Sequence, residues 1–133
     1  MIKSYRDLDV WQRSRALVKH VYDLTRLFPR EEMYGLTSQI RRASISVPSN
    51  IAEGHSRSGT KDYIHFLSIS IGSLAELETQ VLLAEDLEYV KVLQTEEIIK
   101  EIITIQKMLY SLRMRLREKL NTPIPNPNPL VPA

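Results

Sequence analysis

The sequence predicts an all-α protein: an antiparallel up-down-up-down four-helix bundle with a proline-rich C-terminal arm. Three observations carry that prediction. Apolar and small residues recur at alternating steps of four and three through four successive stretches, the spacing that gathers them on one face of a helix. The connections between the stretches are short, as antiparallel neighbours require. No run offers a convincing strand to compete.

In the first helix the seam is Val10, Ser14, Leu17, Val21, Leu24 and Phe28, with Asp9 placed to cap it. Pro29 breaks that pattern and suits the first turn of a second helix, whose seam is Leu36, Ile40, Ala43 and Val47 and whose natural end is Gly54. Pro48 falls inside this helix, where it removes a donor and crowds the carbonyl of Ser44. A bend is therefore expected, with Ser44, Ser46 and Ser49 satisfying the freed backbone groups; a loop is the alternative. Ser58 or Thr60 can cap the third helix, which runs to about Glu88 on a seam of Tyr63, Leu67, Ser70, Leu74, Leu77, Val81 and Ala84. After "EYVKVLQ", Thr95 can cap the fourth, with Ile98, Ile102, Ile105, Leu109, Leu112 and Leu116 on one face. The bundle is assigned to residues 1–120 and the tail to 121–133, where prolines at 123, 125, 127, 129 and 132 forbid a helix. That tail reads either as a free terminus or as an arm docking Ile124, Leu130 and Val131 on a neighbouring subunit.

A chain of 133 residues is large enough to bury one sizeable core. It has no cysteine, so disulfides, thiolate metal sites and cysteine nucleophiles are excluded, which suits a reducing cytoplasm. Neither a signal peptide nor an unbroken apolar run of membrane-spanning length is evident, and a soluble, cytoplasmic protein without a membrane partner is expected. The net charge of +2 says little by itself; its distribution says more.

An up-down-up-down topology gathers residues 1–15, 50–65 and 110–133 at one end. They carry ten Lys or Arg against five Asp or Glu, a net of +5. Residues 20–36 and 80–101 meet at the other end, with four basic and nine acidic residues, a net of −5. A basic rim of this kind suits a phosphate backbone, RNA or DNA. The residues expected to contribute to nucleic-acid binding are Arg41, Arg42, Arg57, Lys61, Arg113, Arg115, Arg117 and Lys119. Solubility and the complementing of helix C-terminal dipoles are the plainer explanation, since the basic segments show no stacking aromatics and no nucleic-acid motif. Arg41 and Arg42 are expected to point away from the core beside Ile45, with Glu78 placed to pair with one of them.

Apolar residues off the four seams exceed what a lone bundle needs and predict self-association. The candidates for the oligomer interface are Ile45, Ile64, Ile69, Ile71, Leu83, Ile103 and Tyr110, with Leu82 and Ile99 beside them.

Enzyme chemistry is not expected, and neither is a cofactor or metal. A di-iron bundle needs paired Glu-x-x-His motifs facing inward, whereas this chain has the single outward pair Asp62-x-x-His65. His20 with Asp23 reads as a surface pair. Glu76 and Glu78 lie two apart on a helix and face different directions. The four glycines are isolated and form no phosphate-cradling loop.

The runs "YRDLDVWQRSRALVKHVYDLTRLFP", "YGLTSQIRRASISVPSNIAEG", "SRSGTKDYIHFLSISIGSLAELETQVLLA" and "LEYV" resemble the four-helix-bundle family of 23S rRNA intervening sequence proteins over about residues 5–118. The resemblance implies an antiparallel bundle that assembles as a cyclic homo-oligomer, commonly a pentamer with a central channel. It also implies a distant similarity to the accessory protein of diversity-generating retroelements, a basic barrel that works with nucleic acid. The expected function is therefore a non-enzymatic oligomer binding nucleic acid or a nucleic-acid-associated protein. The alternative is a structural scaffold that holds a protein partner through its acidic end or its C-terminal arm.

Overall fold

The computed structural model describes residues 1–121, and every regular element among them is helical: α1 Asp9–Thr25, α2 Leu36–Ser56, α3 Thr60–Asp86 and α4 Val92–Asn121, with 3-10 turns at Tyr5–Asp7 and Arg30–Glu32. The expected arm from residue 122 onward lies outside the described residues, and Asn121, assigned to it from sequence, closes α4. Each helix packs on two neighbours, α1 and α3 both lying between α2 and α4, so the bundle is a square whose diagonals do not touch.

The seams form the core. Leu17, Val21, Ile40, Val47, Leu67, Leu74, Leu77, Val81, Ile102 and Leu109 are fully buried, and complete burial of such side chains contributes roughly 1.5–3 kcal/mol each. α3 buries a wider face than one seam because it is gripped on two sides. Ile71, expected on the outer surface, is therefore a core residue at 8% exposure. By length and composition α3 is apolar enough to cross a membrane, contrary to the reading of its apolar runs. In the bundle its seam is the core, and the excess lies in outward residues such as Ile69, Leu82 and Leu83.

Several helix ends differ from those expected. Asp9 does not cap α1; it is the first helical residue and pairs with Arg13 at 3.1 Å. α1 has no side-chain cap at Leu8; the capped end is that of the preceding 3-10 turn, where Ser4 Oγ accepts from Arg6 N and Asp7 accepts from the N–H groups of Lys3 (2.8 Å) and Ser4 (3.2 Å). These donors, Lys3 first, hold the Asp7 carboxyl below the usual carboxylate range. Pro29 opens the 3-10 turn and not α2, which starts seven residues later at Leu36. Gly54 is not an end: α2 continues to Ser56, and Gly54 is buried against α3, where an added Cβ would stand 2.8 Å from Phe66 Cβ. Neither Ser58 nor Thr60 caps α3, which starts from an extended Gly59 without a side-chain cap.

α3 ends in a Schellman turn. Tyr89 N donates to Ala84 O and Glu88 N to Glu85 O, with Glu88 in the left-handed region at φ 61°. Thr95 lies inside α4, buried, its hydroxyl donating to Val92 O at 3.0 Å and to the Glu85 carboxylate. The cap is Gln94 instead, whose Oε1 accepts from Lys91 N at 2.8 Å.

Pro48 sits within a continuous α2, which removes the loop alternative. The carbonyls around it are engaged from both helices: Asn50 Nδ2 donates to Ser46 O and Ser70 Oγ to Val47 O, each at 2.8 Å. Of the three expected serines, Ser44 bonds back to Arg41 O, while Ser46 meets Ser73 across the interface.

Candidate nucleic-acid interface at the basic end

The start of α1, the end of α2, the start of α3 and the end of α4 share one end of the square. α4 has 30 residues against 17 in α1, so it is longer by about 20 Å. Beyond Leu109 no α4 side chain is fully buried; Leu112, Arg113 and Leu116 are half-covered and the rest are open to solvent.

The cations of this end divide into two groups. Arg13 is neutralised by Asp9, and Arg57 by Glu53 at 2.6 Å while it lies 5.0 Å over the Phe66 ring. Arg113 reaches back to α3, donating to Ser68 Oγ at 3.0 Å and stacking 5.2 Å over Tyr110. Lys61, Arg115, Arg117 and Lys119 are exposed and have no ion-pair partner among the described residues. Arg115 and Lys119 are one turn apart on the α1 side of α4. Arg115 rims a cleft of about 520 Å³ floored by Ile2, Leu8, Val10, Met108 and Leu112.

Arg41 and Arg42 do not join this cluster, since they lie in the half of α2 nearer the acidic end. Arg41 is half-buried and does not face outward: its Nε donates to Thr25 Oγ1 at 2.9 Å and its guanidinium lies 4.4 Å over Tyr22, which fastens α2 to α1. Arg42 is exposed beside a polar cleft shared with Ser46, Ser73 and Glu76. Glu78 forms no ion pair with either arginine among the described residues.

The apolar candidates separate as well. Ile69, Leu83, Ile103 and Tyr110 are exposed, Ile64 is half-buried and Ile71 is in the core. The Arg113–Ser68 bond and a cleft joining Leu82 to Ile99 set the register of α4 on α3. Ile103 and Tyr110 fall between those two levels, alongside the α3 segment that holds Ile69, Gly72 and Thr79. Ile45 is exposed on a different side, in a cleft between α1 and α2.

That cleft contains a feature not anticipated from the sequence. Tyr5 and Trp11 meet edge to face at 5.2 Å and Arg15 lies 5.6 Å over Trp11, so the basic end does carry aromatic surface. The available signal was the single tryptophan, one position off the seam and four before an arginine.

Metal-ligating groups are scattered. Asp62 and His65 are exposed, and His20 pairs with Glu101 of α4 at 2.8 Å and not with Asp23, which is held by Lys19 and Arg26. Among the described residues no group of three His, Asp or Glu is placed to hold a metal. Burial raises the Tyr63 phenol above its ordinary value; like the Asp7 shift, this belongs to packing and capping.

Among curated proteins none matches the chain. A solved structure from Bacteroides thetaiotaomicron, a protein of unknown function from the S23 ribosomal protein family, superposes with a TM-score of 0.73 at 26% identity, covering 78% of this chain and 97% of that one. The family model for 23S rRNA-intervening sequence proteins matches residues 6–111. That span runs from the capped turn before α1 into the projecting part of α4, and the chain belongs to the 23S rRNA-intervening sequence protein family.

Proposed function

We propose that this protein is a non-enzymatic cyclic homo-oligomer, the pentamer that the family resemblance implies, which binds the backbone of nucleic acid through its basic end. The observation that carries this reading is the division of charge at that end. Asp9 and Glu53 are occupied by Arg13 and Arg57, while Lys61, Arg115, Arg117 and Lys119 remain open to an external anion. Parallel subunits in a ring would add these cations into one rim.

The outer face of α3 and α4 supports self-association. It presents Ile69, Leu82, Ile103 and Tyr110 around Gly72, whose added Cβ would meet nothing within 4 Å. Glycine in a helix interior costs about 1 kcal/mol relative to alanine. No packing among the described residues calls for it, whereas close approach of a second helix would.

The test reverses Arg115, Arg117 and Lys119 to glutamate and measures binding to RNA, duplex DNA and single strands across a salt series. Affinity should fall and the salt slope should become shallower, by about 0.9 in log–log terms for each duplex phosphate no longer neutralised and about 0.7 for a single strand. Sedimentation should show an assembly several times the 15.4 kDa chain mass, and Ile103→Glu should dissociate it with helicity retained. Unchanged affinity in the folded triple variant would remove the site from α4. No binding by the parent at low salt would overturn the nucleic-acid reading in favour of a scaffold holding a protein partner through its acidic end. A monomer at micromolar concentration would overturn the assembly.

A further inference from the structure

The cleft between α1 and α2 holds about 380 Å³, within the range of small-ligand sites, about 300–1,000 Å³. Trp11 and Arg15 stand one turn apart on α1 and, with Tyr5 before them, form one wall; Ile45, Pro48 and Ser49 of α2 form the other. The cleft stays open. Tyr5 and Trp11 are half-exposed, Ile45 is 42% exposed and Ser49 faces solvent.

Its chemistry joins stacking surface to an unmatched cation. Tyr5 and Trp11 meet at 67° with ring centroids 5.2 Å apart, and in an edge-to-face pair the ring that presents its edge keeps both faces clear of its partner. Arg15 lies 5.6 Å over Trp11 and forms no ion pair among the described residues, and no Asp or Glu among them lines the cleft. An apolar peptide would cover the rings and leave the guanidinium unmatched. A simple anion would meet the guanidinium and leave the rings bare. A nucleotide with an unpaired base satisfies both, the base stacking on the aromatic surface while its phosphate meets the cation.

We propose that this cleft takes one unpaired nucleobase of a single strand, stacked on the Tyr5–Trp11 pair against Ile45, with the flanking phosphate on Arg15 and the base edge within reach of the Ser49 hydroxyl. The bases of a duplex are stacked and paired inside it and offer no free face to the slot, so the cleft selects single-stranded segments. Its place in the bundle agrees. Arg115 shares the α1/α4 cleft with Asp9 and Val10, so the two clefts flank the first turns of α1, about 10 Å apart, the diameter of one helix. A strand crossing the start of α1 meets both. The nucleic-acid reading above, on which this site rests, thereby narrows to strands with unpaired bases.

Trp11 is the only tryptophan, so its emission reports this cleft alone. Oligo(dT) or oligo(U) should quench it on titration, whereas a blunt duplex of equal charge should bind without quenching; quenching by either strand supports the site and names its sugar. With labelled strands read by anisotropy, Trp11→Leu and, separately, Tyr5→Leu should each weaken single-strand binding by about 5- to 150-fold. Duplex binding should be unchanged in both, and Trp11→Phe should recover most of the loss. Tyr5 precedes α1 in a turn with no buried residue, so its variant keeps the test decisive if Trp11→Leu does not fold. Arg15→Gln should make the single-strand salt slope shallower by about 0.7. Strands that bind without quenching Trp11, or that bind folded Tyr5→Leu as tightly as the parent, overturn the cleft site and leave the α4 cations standing. Quenching at unchanged affinity after reversal of Arg115, Arg117 and Lys119 removes the α4 cations and supports the cleft. Absence of any binding by the parent at low salt overturns both. If acrylamide reaches Trp11 only in the dissociated Ile103→Glu variant, a neighbouring copy covers the cleft and the site is refuted.

Discussion

Replacing Gly54 by alanine sets two opposed terms against each other at one position. Alanine in a helix interior is favoured over glycine by about 1 kcal/mol. Against this, the new Cβ would stand 2.8 Å from Phe66 Cβ, 3.1 Å from Tyr63 Cδ1 and 3.3 Å from Tyr63 O. A Cβ and a carbonyl oxygen belong to the α3 framework and cannot rotate aside, so α2 and α3 must separate near their connection. Overpacking of this kind costs about 1–3 kcal/mol, which leaves Gly54→Ala about 0–2 kcal/mol less stable than the parent. Both variants are made in the Ile103→Glu background, where the proposed assembly is dissociated; Gly72→Ala is then the control, for its Cβ meets nothing within 4 Å among the described residues and only the gain of about 1 kcal/mol remains. The two variants should therefore differ by about 1–3 kcal/mol, or roughly 4–12 °C in melting temperature for a domain of this size. Thermal and urea unfolding would be followed by circular dichroism at one protein concentration, with the assembly state of each variant checked by sedimentation. A Gly54→Ala variant melting at or above Gly72→Ala would refute the close-approach account.

Two further substitutions test local backbone readings. Glu88 occupies the left-handed position of the Schellman turn, which costs a non-glycine residue about 1–2 kcal/mol. After the greater chain entropy of glycine is subtracted, Glu88→Gly should raise stability by up to about 1 kcal/mol in urea unfolding; a drop would mean that its side chain holds the connection. Pro48→Ala restores an N–H facing Ser44 O and should keep the helix content and raise stability by up to about 3 kcal/mol. Because the Pro48 ring lines the Trp11 cleft, fluorescence should change as well, and gross unfolding would contradict a continuous α2.

The four helices and nearly all of their core faces were determined by the sequence alone, because helical periodicity is an intrahelical property. Val10, Leu17, Val21 and Leu24 must share a side whatever surrounds them, and all are buried. The polarisation of charge between the two ends follows equally from the order of the helices. Everything that depends on the distance between helices was left to the tertiary structure. Gly54 offers the same residue type to a helix end and to a close crossing, and only the position of Phe66 decides for the crossing. Ile71 is one step off the seam of a two-sided helix, but α3 is gripped from both sides and the residue is buried. Arg41, Arg57 and Arg113 read as free cations in one dimension, yet their long side chains span to Tyr22, Phe66 and Ser68 on neighbouring helices. Lys61, Arg115, Arg117 and Lys119 keep their charge available because no neighbouring helix among the described residues brings a carboxylate within ion-pair reach. A seam is set by the turn of one helix, whereas the partner of a long polar side chain is set by the spacing and register of two.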